Sequence, residues 1–180
     1  MISLMRIIGI DPSLTATGIA IIEDGEWTML DVLKNNLRGH ERMDYITSNL
    51  AELFVTLKPG DVVVMEGPSF NSQGQRSHEL AGMWWLIRHE MWHYPDITVA
   101  IVSPTTRAKY ASGRGNAGKI EVYEAIQQQF PDLTIKDHNV GDAVILASMG
   151  ARRYMSAVDD KLEDSPEMEA YKKVEWPNGL

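Results

Sequence analysis

The chain opens on a largely apolar run, Met5–Ile10, closed by Asp11-Pro12-Ser13, a pattern that predicts a short buried strand ending in a turn. Gly18–Ile22 repeats the strand pattern, and Asp24-Gly25 is a hairpin signal leading into a third strand over Trp27–Leu33. Met43, Ile46, Leu50, Leu53, Phe54 and Leu57 then recur at spacings of mainly three and four, predicting an amphipathic helix stopped by Lys58-Pro59-Gly60. Val62-Val63-Val64-Met65 and Ile97–Val102 have the β-branched, continuous look of strands buried on both faces, as in a parallel sheet. A helix is predicted between them, over Gln75–His93, after a polar loop at Gly67–Gly74. Ser103-Pro104 starts a basic, Gly-rich loop, and helices follow near Lys119–Phe130 and Val140–Met155. This order predicts an α/β fold: a five-stranded mixed sheet, three antiparallel strands then two parallel, with helices on both faces.

A chain of 180 residues fits one domain, and 44% apolar with 23% charged residues is a globular mix. Residues 1–156 are read as that domain. Residues 157–180 are read as an acidic tail outside the core, flexible or loosely docked, because apolar anchors are few there. The absence of Cys excludes a disulfide scaffold, a zinc-thiolate site and a cysteine nucleophile, and fits a reducing, cytoplasmic setting. Apolar runs such as Ile19–Ile22 fall far short of the ~20 residues of a membrane span. The immediate entry into a strand argues against a signal peptide. A net charge of −8 argues against a generally basic nucleic-acid coat. Yet Pro104–Lys119 carries Arg107, Lys109, Arg114 and Lys119 and no acid, a local patch suited to phosphates.

Three acids stand at the ends of predicted elements: Asp11 after the first strand, Glu66 after the fourth, and Asp142 in the first turn of an apolar helix. Singly, Asp11 reads as a turn acid and Asp142 as a helix-start acid matched to the dipole. Together, with the first and fourth strands adjacent, they would form one carboxylate cluster. Such a cluster persists only with a cation or with protonation, and an oxygen-only donor set selects hard cations, Mg²⁺ or Mn²⁺.

Ile8-Gly9-Ile10-Asp11-Pro12-Ser13-Leu14-Thr15-Ala16-Thr17-Gly18, Val64-Met65-Glu66 and His138-Asn139-Val140-Gly141-Asp142-Ala143, in that order, resemble the RuvC family of Holliday-junction resolvases, within the ribonuclease H-like fold. The resemblance runs over about residues 5–153. It implies that Asp11, Glu66 and Asp142 are catalytic ligands of two Mg²⁺ or Mn²⁺ ions. Family members usually carry a fourth acidic or histidine ligand where this chain has Asn139, whose amide oxygen brings no charge; His138 and Asp137 are alternative ligands. It also implies that Lys109 and Lys119 stand where the family has two lysines, with Lys119 beside the scissile phosphate. Further DNA contacts are read at Phe70, placed to stack on an unpaired base, at Arg76 and at Arg114; plain packing or solvent exposure is the alternative at each.

The helix over Gln75–His93 has a second apolar stripe at Trp85 and Trp92, besides Leu80, Trp84, Ile87 and Met91, and so needs two partners. A homodimer, which the resemblance also implies, would supply the second and set two sites against opposed strands of a four-way junction. Burial under the late helices is the alternative. The resulting expectation is a metal-dependent endonuclease that resolves Holliday junctions by paired cuts leaving 5′-phosphate and 3′-hydroxyl ends, with flaps and forks as further branched substrates. The alternatives are an RNA-processing nuclease of the same fold and a non-catalytic junction-binding module. An actin-like ATPase would require two such domains and a longer chain.

Overall fold

A computed structural model describes residues 5–68 and 75–177. Strands β1 (Arg6–Asp11), β2 (Ala16–Glu23), β3 (Glu26–Lys34), β4 (Val62–Glu66) and β5 (Thr98–Val102) form one sheet in the order β3-β2-β1-β4-β5. β1–β2 and β2–β3 are antiparallel; β1–β4 and β4–β5 are parallel. The mixed sheet expected from the sequence is the one found. Asp24 and Gly25, with φ of 55° and 86°, make the tight β2–β3 turn, a conformation that Gly adopts without strain.

Two helices, α1 (Gly39–Phe54) and α2 (Gln75–Met91), cover one face, where Ile8, Ile10, Val63 and Met65 meet Ile46, Leu50, Phe54 and Ile87. The other face, carrying Ile7, Val62, Val64, Ala100 and Val102, packs under α5 (His138–Tyr154). α5 is buried at nearly every position from Val140 to Ala151, which its unbroken apolar sequence requires. It lies very close to the sheet: a Cβ on Gly9 would come within 2.1 Å of the Ala143 carbonyl oxygen, and one on Gly18 within 2.0 Å of the Asn139 carbonyl oxygen. Glycine at both positions sets the helix's height above β1 and β2. At the far end of the sheet the Asp61 carboxylate accepts from the Arg6 backbone N–H (3.1 Å), the Arg6 guanidinium (3.0 Å) and the Lys58 N–H (2.9 Å), pinning the starts of β1 and β4 together.

The structure corrects the sequence reading at two places. The segment read as a basic loop holds a helix, α3 (Pro104–Ser112): Ser103 caps it, accepting the Thr106 N–H at 3.1 Å, Pro104 fills the first turn, and Gly113, at φ 79°, ends it. Helix α4 (Lys119–Gln129) follows. The acidic segment beyond Ser156 is also not a loose appendage. Its helix α6 (Pro166–Tyr171) buries Met168 and Ala170, while Tyr171 and Trp176 stack near Tyr110 and Tyr154. Apolar anchors are few in this segment, but Tyr110 of α3 and Tyr154 of α5 give its aromatic side chains partners. Among the described residues, no helix is long and apolar enough to cross a membrane.

Candidate active site

Alternation along the strands decides which way the acids point. Ile7 and Gly9 of β1 face α5, and Asp11 follows at the next position of that register; on β4, Val62 and Val64 do the same and Glu66 follows. Ile10 is level with Met65, so Asp11 and Glu66 leave the sheet side by side on the α5 face. Across the antiparallel pair Asp11 is opposite Gly18, above which α5 begins. That contact brings Asp142, one turn into α5, over the two strand ends. The turn after Asp11 is fixed by Thr17, whose hydroxyl accepts the Ser13 N–H (3.1 Å) and donates to the Ser13 carbonyl (2.9 Å). The Trp84 indole of α2 donates to the Glu66 carbonyl at 3.0 Å and holds the end of β4 from the opposite face.

The three acids form one electrostatic unit. Burial, then the charges of Glu66 and Asp142, raise the Asp11 carboxyl well above the usual carboxylate range. Burial pushes Asp142 up to about 6 against the opposing pull of Arg107. The guanidinium of Arg107, from the middle of α3, donates through Nε to Glu66 and through Nη1 to Asp142. Its burial disfavours the charge, but Glu66, Asp142 and Asp11 outweigh that and hold it protonated. Lys119, exposed at the start of α4, is close enough for its charge to favour the ionised forms of Asp11 and Asp142. With Arg107, His138 and Asp142 it lines a small cleft beside the cluster.

Asp11, Glu66 and Asp142 are neighbours that sense one another's charge, and their all-oxygen donor chemistry is the kind a hard divalent cation takes. Buried Asp11 crowded by two like charges is the observation that asks for one. Among the described residues, no three acid or histidine side chains stand close enough together to clasp an ion.

The structure separates the other sequence-predicted residues. Asn139 turns its amide nitrogen to the Asp137 carboxylate (2.6 Å), which also caps α5 through the Asn139 N–H (2.9 Å) and pairs with Lys34 (2.7 Å). Burial, which would raise the Asp137 carboxyl, is outweighed by these bonds, so it is held below its ordinary value. Lys109 points away from the acids and pairs with Glu169 of α6 at 2.9 Å; Arg114 pairs with Glu121 at 3.1 Å. Of the four bases in the acid-free stretch, Lys119 alone makes no ion pair among the described residues. Arg76 is exposed at the start of α2, and Phe70 lies outside the described residues. Sequence reasoning missed Arg107 and Trp84 as site residues. The Ser-Pro start of α3 was the available signal: it makes 104–112 a helix, and residues two apart on a helix project roughly 200° apart, so Arg107 and Lys109 serve opposite sides.

Together the sheet order and the crossing of α5 define an α/β protein with a ribonuclease H-like fold. The chain is RuvC-like in sequence and fold, as its motifs predicted. The crossover junction endodeoxyribonuclease RuvC of Wolbachia sp. subsp. Brugia malayi (strain TRS) is 26% identical over 149 residues, 79% of this chain and 91% of that protein. The Thermus thermophilus RuvC structure matches 87% of this chain and 100% of its own, with a TM-score of 0.63 and 18% identity. T. thermophilus RuvC in complex with Holliday junction substrate matches equally widely, at 0.64 and 16%. The yeast mitochondrial Holliday junction resolvase Ydc2 matches 86% of this chain and 80% of its own, at 0.51 and 15%. No family model matches the chain.

Proposed function

We propose that the protein is a divalent-metal-dependent endonuclease that resolves four-way DNA junctions, with Asp11, Glu66 and Asp142 as its metal ligands. The observation that carries this reading is the convergence of three acids, distant in sequence, on one sheet edge, where buried Asp11 is crowded by like charge. Mg²⁺ or Mn²⁺ held there supplies a nucleophilic water at neutral pH and stabilises charge on the phosphate and on the departing 3′ oxygen. Asp11 is fixed by the β1 end and its Thr17-braced turn, Glu66 by β4 and Trp84, and Asp142 by α5, so the ligands are pre-positioned on rigid elements. Lys119, free of ion pairs with the described residues, meets the scissile phosphate. Arg76 and Phe70 belong to the chain segment that follows Glu66 in the sequence, and serve as DNA contacts.

Trp85 of α2 and Trp92, just past its C-terminal end, support a homodimer. Trp85 is 67% and Trp92 81% exposed in the single chain, so the late helices do not cover them. A second copy presenting the same stripe would bury both, and a two-fold pair suits two cuts in a four-way junction.

Cleavage of synthetic four-way junctions, flaps and forks, each with Mg²⁺ and with Mn²⁺, tests the reading. Paired nicks in the junction, lost in Asp11→Asn and in Glu66→Gln, are the expected result. Variants that cut as well as wild type would overturn the carboxylate assignment. Arg107's hold on two of the acids favours one second reading, a non-catalytic junction-binding module; tight junction binding without cutting in either metal would establish it.

A further inference from the structure

Arg107 is an unusual neighbour for a metal-binding acid cluster: a permanently charged side chain, only 11% exposed, fastened to two of the three acids. It leaves Asp11 open; no side chain among the described residues donates a hydrogen bond to that carboxylate. Partly buried charge must be balanced locally, since the desolvated excess has no water to screen it. Counting only the buried and partly buried groups, with exposed Lys119 screened by water, three carboxylates and one guanidinium leave a deficit of two positive charges. One divalent ion fills that deficit. Two ions beside Arg107 would overfill it by two.

Asn139 shifts the balance in the same direction. It stands where a fourth acid would add negative charge, and its amide is spent on Asp137. A missing acid and an added base in one cluster both lower the demand for metal. We propose that Arg107 is the resident second cation of this site, so that one divalent ion, held through Asp11, completes it where the family resemblance implies two. The inference rests on the metal-dependent reading above. Arg107 is then a specificity-determining residue for metal loading: its guanidinium supplies, at every pH, positive charge on the Glu66–Asp142 side, with a planar fork suited to phosphate oxygens.

The test is Mn²⁺ binding to the full chain without DNA, by isothermal titration and by the resonance signal of unbound Mn²⁺. Wild type is expected to take one ion per chain, and Arg107→Ala two, with its first at least 10-fold tighter. Arg107→Lys, which keeps the charge, is expected to stay at one. Arg107→Gln, similar in length but neutral, carries the same comparison if the alanine variant does not fold by circular dichroism. Two ions in wild type, or one ion at unchanged affinity in the neutral variants, would overturn the inference and leave the metal-dependent reading standing. No Mn²⁺ in wild type or in any folded neutral variant would overturn both. Asp11→Asn is expected to abolish binding in either background.

Discussion

Tyr110 donates its phenolic hydrogen to Asp159 across 2.5 Å, joining α3 to a residue 49 positions later in a fully enclosed contact. Ser148 and Arg152 of α5 also donate to that carboxylate, and Lys161 lies over the Tyr110 ring at 4.8 Å. The acidic C-terminal segment is therefore held by a buried polar knot as well as by Met168 and the aromatic side chains of Tyr171 and Trp176. Removing one partner from a buried ion pair strands the other, so Asp159→Ala is expected to cost about 3–5 kcal/mol in urea unfolding.

The same carboxylate makes stability depend on pH. Burial would raise it, but the bonds from Arg152, Ser148 and Tyr110 outweigh burial and hold it below its ordinary value. A depressed folded-state value contributes stability that is complete above the unfolded value of about 3.9 and is lost as pH falls through the folded one. Wild type should therefore lose stability faster than Asp159→Asn below about pH 4, and unfolding curves across pH 2–6 would show the two converging.

Gly18→Ala should damage both fold and site. The new Cβ would sit against backbone, the Asn139 carbonyl oxygen, which has no rotamer by which to escape. Overpacking of this kind costs about 1–3 kcal/mol, occasionally more. Because the start of α5 must rise off the sheet, Asp142 moves from Asp11, and Mn²⁺ affinity should fall along with the melting temperature. A variant that melted earlier but bound Mn²⁺ normally would show that this contact does not set the cluster.

Asp11→Asn should do the opposite to stability. Its carboxyl is raised first by burial and then by Glu66 and Asp142, which marks an ionised group at odds with its surroundings in the absence of metal. Removing the charge is expected to stabilise the metal-free protein by about 0.5–2 kcal/mol, a trade seen where function requires a strained site. Thermal melts in EDTA would read this as a higher midpoint, while junction cleavage disappears.

The exposed Trp85 of α2 and Trp92, just beyond its end, give the fifth expectation. Replacing Trp85 and Trp92 together by Glu should convert a dimer to a monomer in analytical ultracentrifugation. The monomer's unfolding free energy should stay within about 0.5 kcal/mol, as for surface substitutions elsewhere. A wild type that sediments as a monomer at micromolar concentration would remove the basis for a dimer.

The strand order and the three acids were legible because each depends on local signals. Val62–Met65 is too apolar and too short for anything but an enclosed strand, and an acid directly after it is conspicuous. The hairpin at Asp24-Gly25 was equally plain. What escaped reading was long-range. The four bases of 104–119 look like a free cationic patch only until folding brings Glu66, Asp142, Glu169 and Glu121 against three of them. The docked tail escaped for a related reason: counting apolar anchors after residue 156 takes no account of Tyr110, which lies elsewhere in the chain and organises them. Arg107 was visible as a charge but not as a direction, since its segment was taken for a loop and loops carry no helical phase.

The parity of β1 and β4 turns the sheet into a bulkhead. All three acids, with Arg107 and Lys119, lie on its α5 side, while the aromatic stripe of α2 lies beyond the opposite side. The α2 face and the acid cluster thereby draw on two cores that share no side chain. The hydrogen bond from Trp84 to the Glu66 carbonyl crosses that wall, so a partner settling on α2 would be felt at the cluster through the end of a single strand.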